Sequence, residues 1–360
     1  MKPDHPILFI PGPTEVRPEI LAQLARPQIG HRSEAMKEIV RSVRKRLKLV
    51  FETQGPTLFE TCPATMLMEA AVRNLVCRRV LHLTCGAFSE RWRDISIACG
   101  KEADSLSVEW GRANLPEDLE RALKSGRYDA VAITHNETST GLMNPLAELA
   151  RAVRRFDDVL VLVDVVTSLA GSSVAFDQSG LDFAFASTQK GLALPAGFTV
   201  YAISPRALER ARTTPGRGWL LDFGRAFDSL EKQETLATPS IPHLFALDRQ
   251  LEAIETEGLK SRIVRHAQMA ARTRSWARER DLTLFADERH FSPTVTNVNA
   301  GNLDVGRLTS ALKNEGFQIS NGYGKLKGKC FRIGHMGDHT PAVLEDLLSA
   351  LDRVLHSSRA

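Results

Sequence analysis

Two rhythms of hydrophobic residues alternate along the chain. Short, mostly apolar runs stand at residues 57–61, 80–83, 130–134, 159–163, 183–186 and 198–203. Runs of this length without alternation read as strands, several of them buried on both faces. Between them, apolar residues recur at helical spacing over 15–25, 34–51, 66–76, 89–99, 116–124 and 146–156. Strands alternating with helices predict an α/β fold: a large domain with a mostly parallel, doubly wound sheet flanked by helices.

Beyond residue 203 the rhythm changes. A stretch punctuated by Gly and Pro covers 213–224, and a long helical pattern, broken near Gly258, covers 242–280. Strand patterns at 294–298, 317–320 and 330–334 then mix with helices at 305–315 and 341–356, which reads as a smaller C-terminal α+β domain. The expected divisions are an arm over 1–19, set off by Pro11-Gly12-Pro13, a large domain over 20–258 and a small domain over 259–360.

Composition narrows the function classes. With 360 residues and 43% hydrophobic content, the chain can bury a sizeable core. Lys plus Arg number 47 against 43 Asp plus Glu, a net charge of +4, too near balance to imply a nucleic-acid partner. The basic run Arg41 to Lys48 carries Ile39, Val43, Leu47 and Val50 at helical spacing, so it reads as the solvated face of a helix. Five cysteines without a CxxC pair indicate neither a disulfide framework nor zinc, and thiols in a reducing compartment fit best. No apolar run approaches membrane-spanning length, and the N-terminus lacks a targeting pattern; the expectation is a cytoplasmic protein with no membrane or metal partner.

Candidate chemistry gathers at two strand ends. The run Val159 to Val163 ends in Asp164, and 26 residues later Ser187-Thr188-Gln189-Lys190-Gly191 follows the next apolar run. In an open α/β sheet, ligands sit at the carboxyl ends of the strands, so neighbouring strands would deliver an acid and an amine to one crevice. Singly, the aspartate reads as a turn former and the lysine as solvated. Together they suit pyridoxal phosphate: the amine condenses with the cofactor aldehyde, and the carboxylate keeps the pyridine nitrogen protonated so that the ring accepts electrons. The turn Cys62-Pro63-Ala64-Thr65, between a strand and a helix, offers unpaired N–H groups where a phosphate can sit.

Several segments, in order and over nearly the whole chain, resemble the class V aminotransferase family of fold-type I pyridoxal phosphate enzymes, in particular its alanine/serine:glyoxylate or pyruvate branch. They run from Pro11-Gly12-Pro13 through Cys62 to Ala71, Thr134-His135-Asn136-Glu137-Thr138-Ser139-Thr140-Gly141, Asp164, Gln189-Lys190 and Thr238-Pro239-Ser240-Ile241-Pro242 to Phe331-Arg332-Ile333-Gly334. The resemblance implies Lys190 as the cofactor-binding lysine and Asp164 as the partner of the ring nitrogen. Ala64, Thr65 and Gln189 would lie at the phosphate, although Cys62 and Pro63 stand where the family has small residues and glycine. Phe88 would stack on the ring, Thr138 would bond the phenolic oxygen, and Ser168 would stand behind. Arg332 would hold the substrate α-carboxylate, and Gly12 would let substrate approach. Ser240 would reach the phosphate of a neighbouring subunit, making a homodimer with shared sites.

The resemblance implies a transaminase that moves the amino group of alanine or serine to a 2-oxo acid by a ping-pong mechanism. Arg32 or Arg217 could serve a second anionic group, which leaves aspartate or phosphoserine as alternative donors. Two other readings compete: a cysteine desulfurase-like lyase acting through Cys330, and a non-catalytic family member. His135 and Glu137 suggest a metal site only weakly, since no third ligand stands at suitable spacing.

Overall fold

A computed structural model describes residues 5–357; residues 1–4 and 358–360, the ends of the expected arm and small domain, lie outside it. Seven strands form the central sheet in the order Thr57–Glu60, Thr199–Ile203, Phe183–Ser187, Leu160–Asp164, Ala130–Thr134, Arg79–Thr84 and Glu102–Ser107. Only Thr199–Ile203 runs against its neighbours. The sheet is therefore mostly parallel, as the alternation predicts. Every residue of Leu160–Asp164 and Phe183–Ser187 is buried, which accounts for their unbroken apolar sequences.

The edge strand Glu102–Ser107 has no apolar run to announce it and is not predicted by the hydrophobic pattern. Its residues are half-exposed, and it is held by a parallel ladder to Arg79–Thr84. Hydroxyls add to that ladder, with Thr84 Oγ1 lying 2.6 Å from Ser105 Oγ and 2.8 Å from Ser107 Oγ. The helices Pro205–Thr213 and Phe223–Glu231 were likewise unanticipated. Both start on side-chain caps: Ser204 accepts from the Ala207 amide, and Asp222 from those of Gly224 and Arg225.

Helix Glu34–Phe51 carries the basic run. Met36, Val40, Val43, Leu47 and Val50 form its buried stripe. Of its cations, Arg44 pairs with Glu231 at 2.7 Å and Arg46 with Asp248 at 2.7 Å.

Hydrophobic side chains collect in two large cores. One runs from Ile20 to Ile254 around the central sheet, and the other joins Phe9 to residues between Met269 and Leu355. The second core lies under the antiparallel strands Val295–Asn299 and Cys330–Gly334 and helix Pro341–Ser357. The N-terminal segment bridges the two. Ile7–Leu8 pairs in parallel with Phe317–Gln318, Phe9 is fully buried against the second core, and Thr14 bonds to the loop after Ser187.

Candidate active site

Asp164 is the last residue of its strand, and Ser187 is the last of the strand beside it. After Ser187 the chain turns through Thr188 and Gln189 into Lys190, and this turn is fixed from several sides. Thr188 Oγ1 donates to the Pro195 carbonyl at 2.8 Å, and the Thr14 amide donates to the Gln189 carbonyl at 3.0 Å. Thr14 Oγ1 donates to the Lys190 carbonyl at 3.1 Å, and Arg262 Nη2 donates to that of Gly191 at 2.9 Å. A Cβ at Gly191 would lie 2.2 Å from the Leu169 carbonyl oxygen, so no other residue fits there.

These two strand ends open on a cavity of about 170 Å³. Seven of the expected site residues line it: Asp164 and Lys190, Ala64 and Thr65, Phe88, Thr138 and Gln189. Helix Ala64–Leu75 begins at the cavity wall, two residues earlier than expected, with Pro63 as N-cap. Proline offers no side-chain acceptor, so the first amides of that helix are left for a ligand or solvent.

Burial sets the electrostatics. Asp164 is 5% exposed; enclosure pushes its carboxyl up to about 7, against the pull of the Val166 amide, which donates to Oδ1 at 2.8 Å. The other carboxyl oxygen has no donor among the described residues. Enclosure and the Arg332 charge bring the Lys190 amine down to about 8, with Asp164 pulling the other way. Its Nζ donates to the Pro11 carbonyl. Asp164 and Lys190 feel each other's charge without making an ion pair.

Arg332 stands beside the cavity on strand Cys330–Gly334 and is 7% exposed. Its guanidinium donates to carbonyls, Nε to Asn321 at 3.0 Å and Nη1 to Thr138 at 3.3 Å, and meets no carboxylate among the described residues. Burial lowers it to about 10. Gly12 lies against the lysine: with φ +97°, a Cβ there would sit 2.4 Å from Lys190 Cδ.

Not every expected residue joins this group. Ser240 does not line the cavity of its own chain; its amide bonds Thr61 Oγ1 at 2.9 Å, and its hydroxyl meets His243 Nδ1 at 2.7 Å. Ser168 is buried, with its hydroxyl unpaired. Arg32 and Arg217 are not at the cavity, and Arg217 is held by Asp222 at 3.0 Å.

His135 and Glu137 do not form a metal site. Glu137 accepts the Phe88 and Ser89 amides at 3.1 and 3.0 Å and the Ser139 hydroxyl at 2.6 Å, which anchors the start of the Phe88 helix. No group of three or more His, Cys, Asp or Glu is placed to hold a metal among the described residues. Cys330 lies within a strand, 1% exposed, and burial pushes its thiol up to about 11, far from a mobile nucleophile.

The cavity wall also contains residues that sequence reasoning missed. Asn136 donates to Thr167 Oγ1 at 2.8 Å and Thr294 Oγ1 at 2.9 Å, and Arg91 sits three positions after Phe88 on one helix face. That spacing was the one available signal for Arg91.

Residues 18–327 match the family model described as Aminotransferase class-V. The chain is 33% identical over 358 residues to the small subunit of a soluble hydrogenase from Synechococcus sp., covering 98% of this chain and 93% of that one. It is 30% identical over 354 residues to serine–glyoxylate aminotransferase from Methylorubrum extorquens, covering 94% and 88%. An aspartate aminotransferase of subgroup IV from Thermus thermophilus has a similar structure, with a TM-score of 0.91 and 34% identity over 97% of this chain and 99% of that one. No helix among the described residues is long and apolar enough to cross a membrane.

Proposed function

The chain belongs to the class V aminotransferase family, and from that premise we propose that it moves the amino group of alanine or serine to a 2-oxo acid such as glyoxylate or pyruvate, using pyridoxal 5'-phosphate in a ping-pong cycle. The observation that carries this reading is the pairing of Asp164 and Lys190. They line one cavity at the carboxyl ends of adjacent parallel strands, each without a partner of opposite charge among the described residues.

The residues present fit the cofactor. The uncapped start of helix Ala64–Leu75 and Gln189 suit a phosphate, with the Thr65 hydroxyl beside them, and the undonated oxygen of Asp164 suits a protonated ring nitrogen. A positive partner at that oxygen would offset the burial that now holds the carboxyl near 7. Phe88 supplies a stacking face, and Thr138 a hydroxyl for the ring's phenolic oxygen.

When bound, pyridoxal phosphate supplies an electron sink that makes an amino acid's Cα proton removable. Lys190 Nζ would hold the cofactor and is placed to take that proton. At about 8 its proton affinity leaves a useful neutral share near pH 7 to 8. Asp164 would keep a proton on the ring nitrogen with a negative charge fixed in advance. Arg332, buried and without an anion, is suited to grip the α-carboxylate in a two-pronged contact. Gly12 leaves room beside the lysine for substrate. Ser240, set away from its own cavity, would serve the phosphate of a second copy in a homodimer.

A panel of alanine, serine, aspartate and phosphoserine against glyoxylate, pyruvate and 2-oxoglutarate tests the substrate reading. We expect alanine or serine with glyoxylate or pyruvate to give the highest kcat/KM. Arg91, a cation in the cavity wall with no carboxylate partner among the described residues, favours a second reading in which aspartate is the donor. A tenfold preference for aspartate would decide for that reading.

A further inference from the structure

Phe88 and Arg332 stand on separate parts of the molecule. Phe88 opens the helix Ala87–Ala98 beside the large sheet, and Arg332 lies on the strand Cys330–Gly334 over the second core. One side chain touches both. The Tyr323 ring stacks on Phe88 with centroids 5.3 Å apart and planes at 27°, and the Arg332 guanidinium lies over the Tyr323 ring at 5.5 Å. The Tyr323 hydroxyl accepts from Arg91 Nη2 at 2.8 Å, and the Arg91 guanidinium in turn lies over the Phe88 ring at 5.0 Å. Phe88, Tyr323 and Arg91 thus close a circuit at the cavity edge, and Arg332 joins it at the Tyr323 ring.

The loop that carries Tyr323 cannot drift independently of Arg332. Arg332 Nε donates to the Asn321 carbonyl at 3.0 Å, and the Gly322 amide donates to that of Cys330 at 2.7 Å. Gly322 packs so closely that a Cβ there would lie 2.0 Å from the Leu326 carbonyl oxygen. On the far side, the Phe88 amide is pinned by Glu137. Tyr323 therefore spans two fixed points.

We propose that Tyr323 is a positioning residue that sets the separation between Phe88 and Arg332, and through them between the cofactor ring and the substrate carboxylate. The inference rests on the reading of Arg332 as the carboxylate holder. Both half-reactions present a carboxylate to the same guanidinium, so a shift in Tyr323 must be felt by amino donor and oxo-acid acceptor alike. A small misplacement of a binding group costs rate steeply, whereas the contacts of Lys190, Asp164 and the helix start to the cofactor do not pass through Tyr323.

Steady-state kinetics on the cofactor-loaded Tyr323→Leu, Tyr323→Phe and Arg332→Ala variants test this. Tyr323→Leu removes the stack and the hydroxyl; KM is expected to rise about 10- to 50-fold for donor and acceptor together, with kcat falling less and the cofactor's visible absorbance unchanged. Tyr323→Phe keeps the stack and loses only the Arg91 bond, so most of the effect should be rescued, leaving a rise in KM of about threefold. If Arg332→Ala raises both KM values and Tyr323→Leu raises neither, the inference is overturned and the carboxylate reading stands. If Arg332→Ala leaves both KM values unchanged, the carboxylate reading itself fails. Should Tyr323→Leu not fold, Tyr323→Met, which also removes the stacked ring, takes its place: a KM raised for donor and acceptor together supports the inference, and wild-type KM values overturn it.

Discussion

The neighbouring strands Leu160–Asp164 and Phe183–Ser187 have a buried aspartate at each end of the pair, and the two are treated in opposite ways. At the amino end, Asp182 is surrounded by donors: Arg206 at 2.6 and 2.5 Å, the Ser204 hydroxyl at 2.8 Å and the Val161 amide at 2.8 Å. At the carboxyl end, Asp164 has one amide, and the cations nearest it, Lys190 and Arg91, make no ion pair with it. A buried carboxylate that is fully answered holds the fold together. One left unanswered raises its own proton affinity and waits for a ligand. The cations divide likewise: Arg262, 2% exposed, is paired with Asp338 at 2.8 Å and Glu257 at 2.7 Å, whereas Arg332 has only carbonyls and a ring.

That contrast can be broken experimentally, beginning with the largest effect. Lys190→Ala should remove transamination by at least about 10⁴-fold in a coupled assay, because both the attachment point and the proton carrier go. Appreciable turnover by this variant would remove the amine from the mechanism. Asp164→Asn should lower kcat by about 10²- to 10³-fold and leave the cofactor-free chain at pH 8 as stable as wild type or more so. Asp182→Asn should do the reverse: activity per folded molecule within about threefold, and chemical denaturation showing a loss of roughly 2–4 kcal/mol. If the two substitutions behaved alike, the division between structural and functional carboxylates would collapse.

The pH dependence sharpens the same point. Asp164 is raised from 3.8 to about 7 in the folded chain, so between those values the folded state keeps a proton that the unfolded state has released. Through this group, stability falls as pH rises from about 4 to 7 and is level above, a total on the order of 2–4 kcal/mol. Urea midpoints of the cofactor-free Asp164→Asn variant and wild type should separate across that window; parallel curves would count against it. Smaller again, Gly12→Ala should cut kcat by about tenfold, since the new methyl meets Lys190 Cδ at a strained φ. Ser240→Ala should weaken cofactor binding by roughly fivefold if a second copy supplies that hydroxyl, which equilibrium dialysis would measure.

The fold and the centre of the site were legible because both depend on sheet burial. A strand covered on both faces must be apolar throughout, so Val161 to Val163 announce themselves, and a charged residue at the end of such a run stands out. The edge strand Glu102–Ser107 lacks that compulsion and stayed hidden. Helix Pro205–Thr213 did carry a cue in Ser204-Pro205, where a cap precedes proline at the first helical position. Arg91 could have been found from its spacing to Phe88. Tyr323, on the loop Gly322-Tyr323-Gly324, belongs to no periodic pattern, and its place beside Phe88 exists only after two distant segments meet. Ser240 was singled out only through resemblance, and within its own chain it meets Thr61 and His243 rather than the cavity.

The account depends on Lys190 and Asp164 embracing one cofactor, and a chemical trap reads this most directly. Purified protein is incubated with pyridoxal phosphate, reduced with borohydride, digested and sequenced by mass spectrometry. The account predicts a single pyridoxyl-modified site at Lys190, with the labelling markedly reduced in Asp164→Asn at limiting cofactor. Label spread over surface lysines, or none at Lys190, would contradict it.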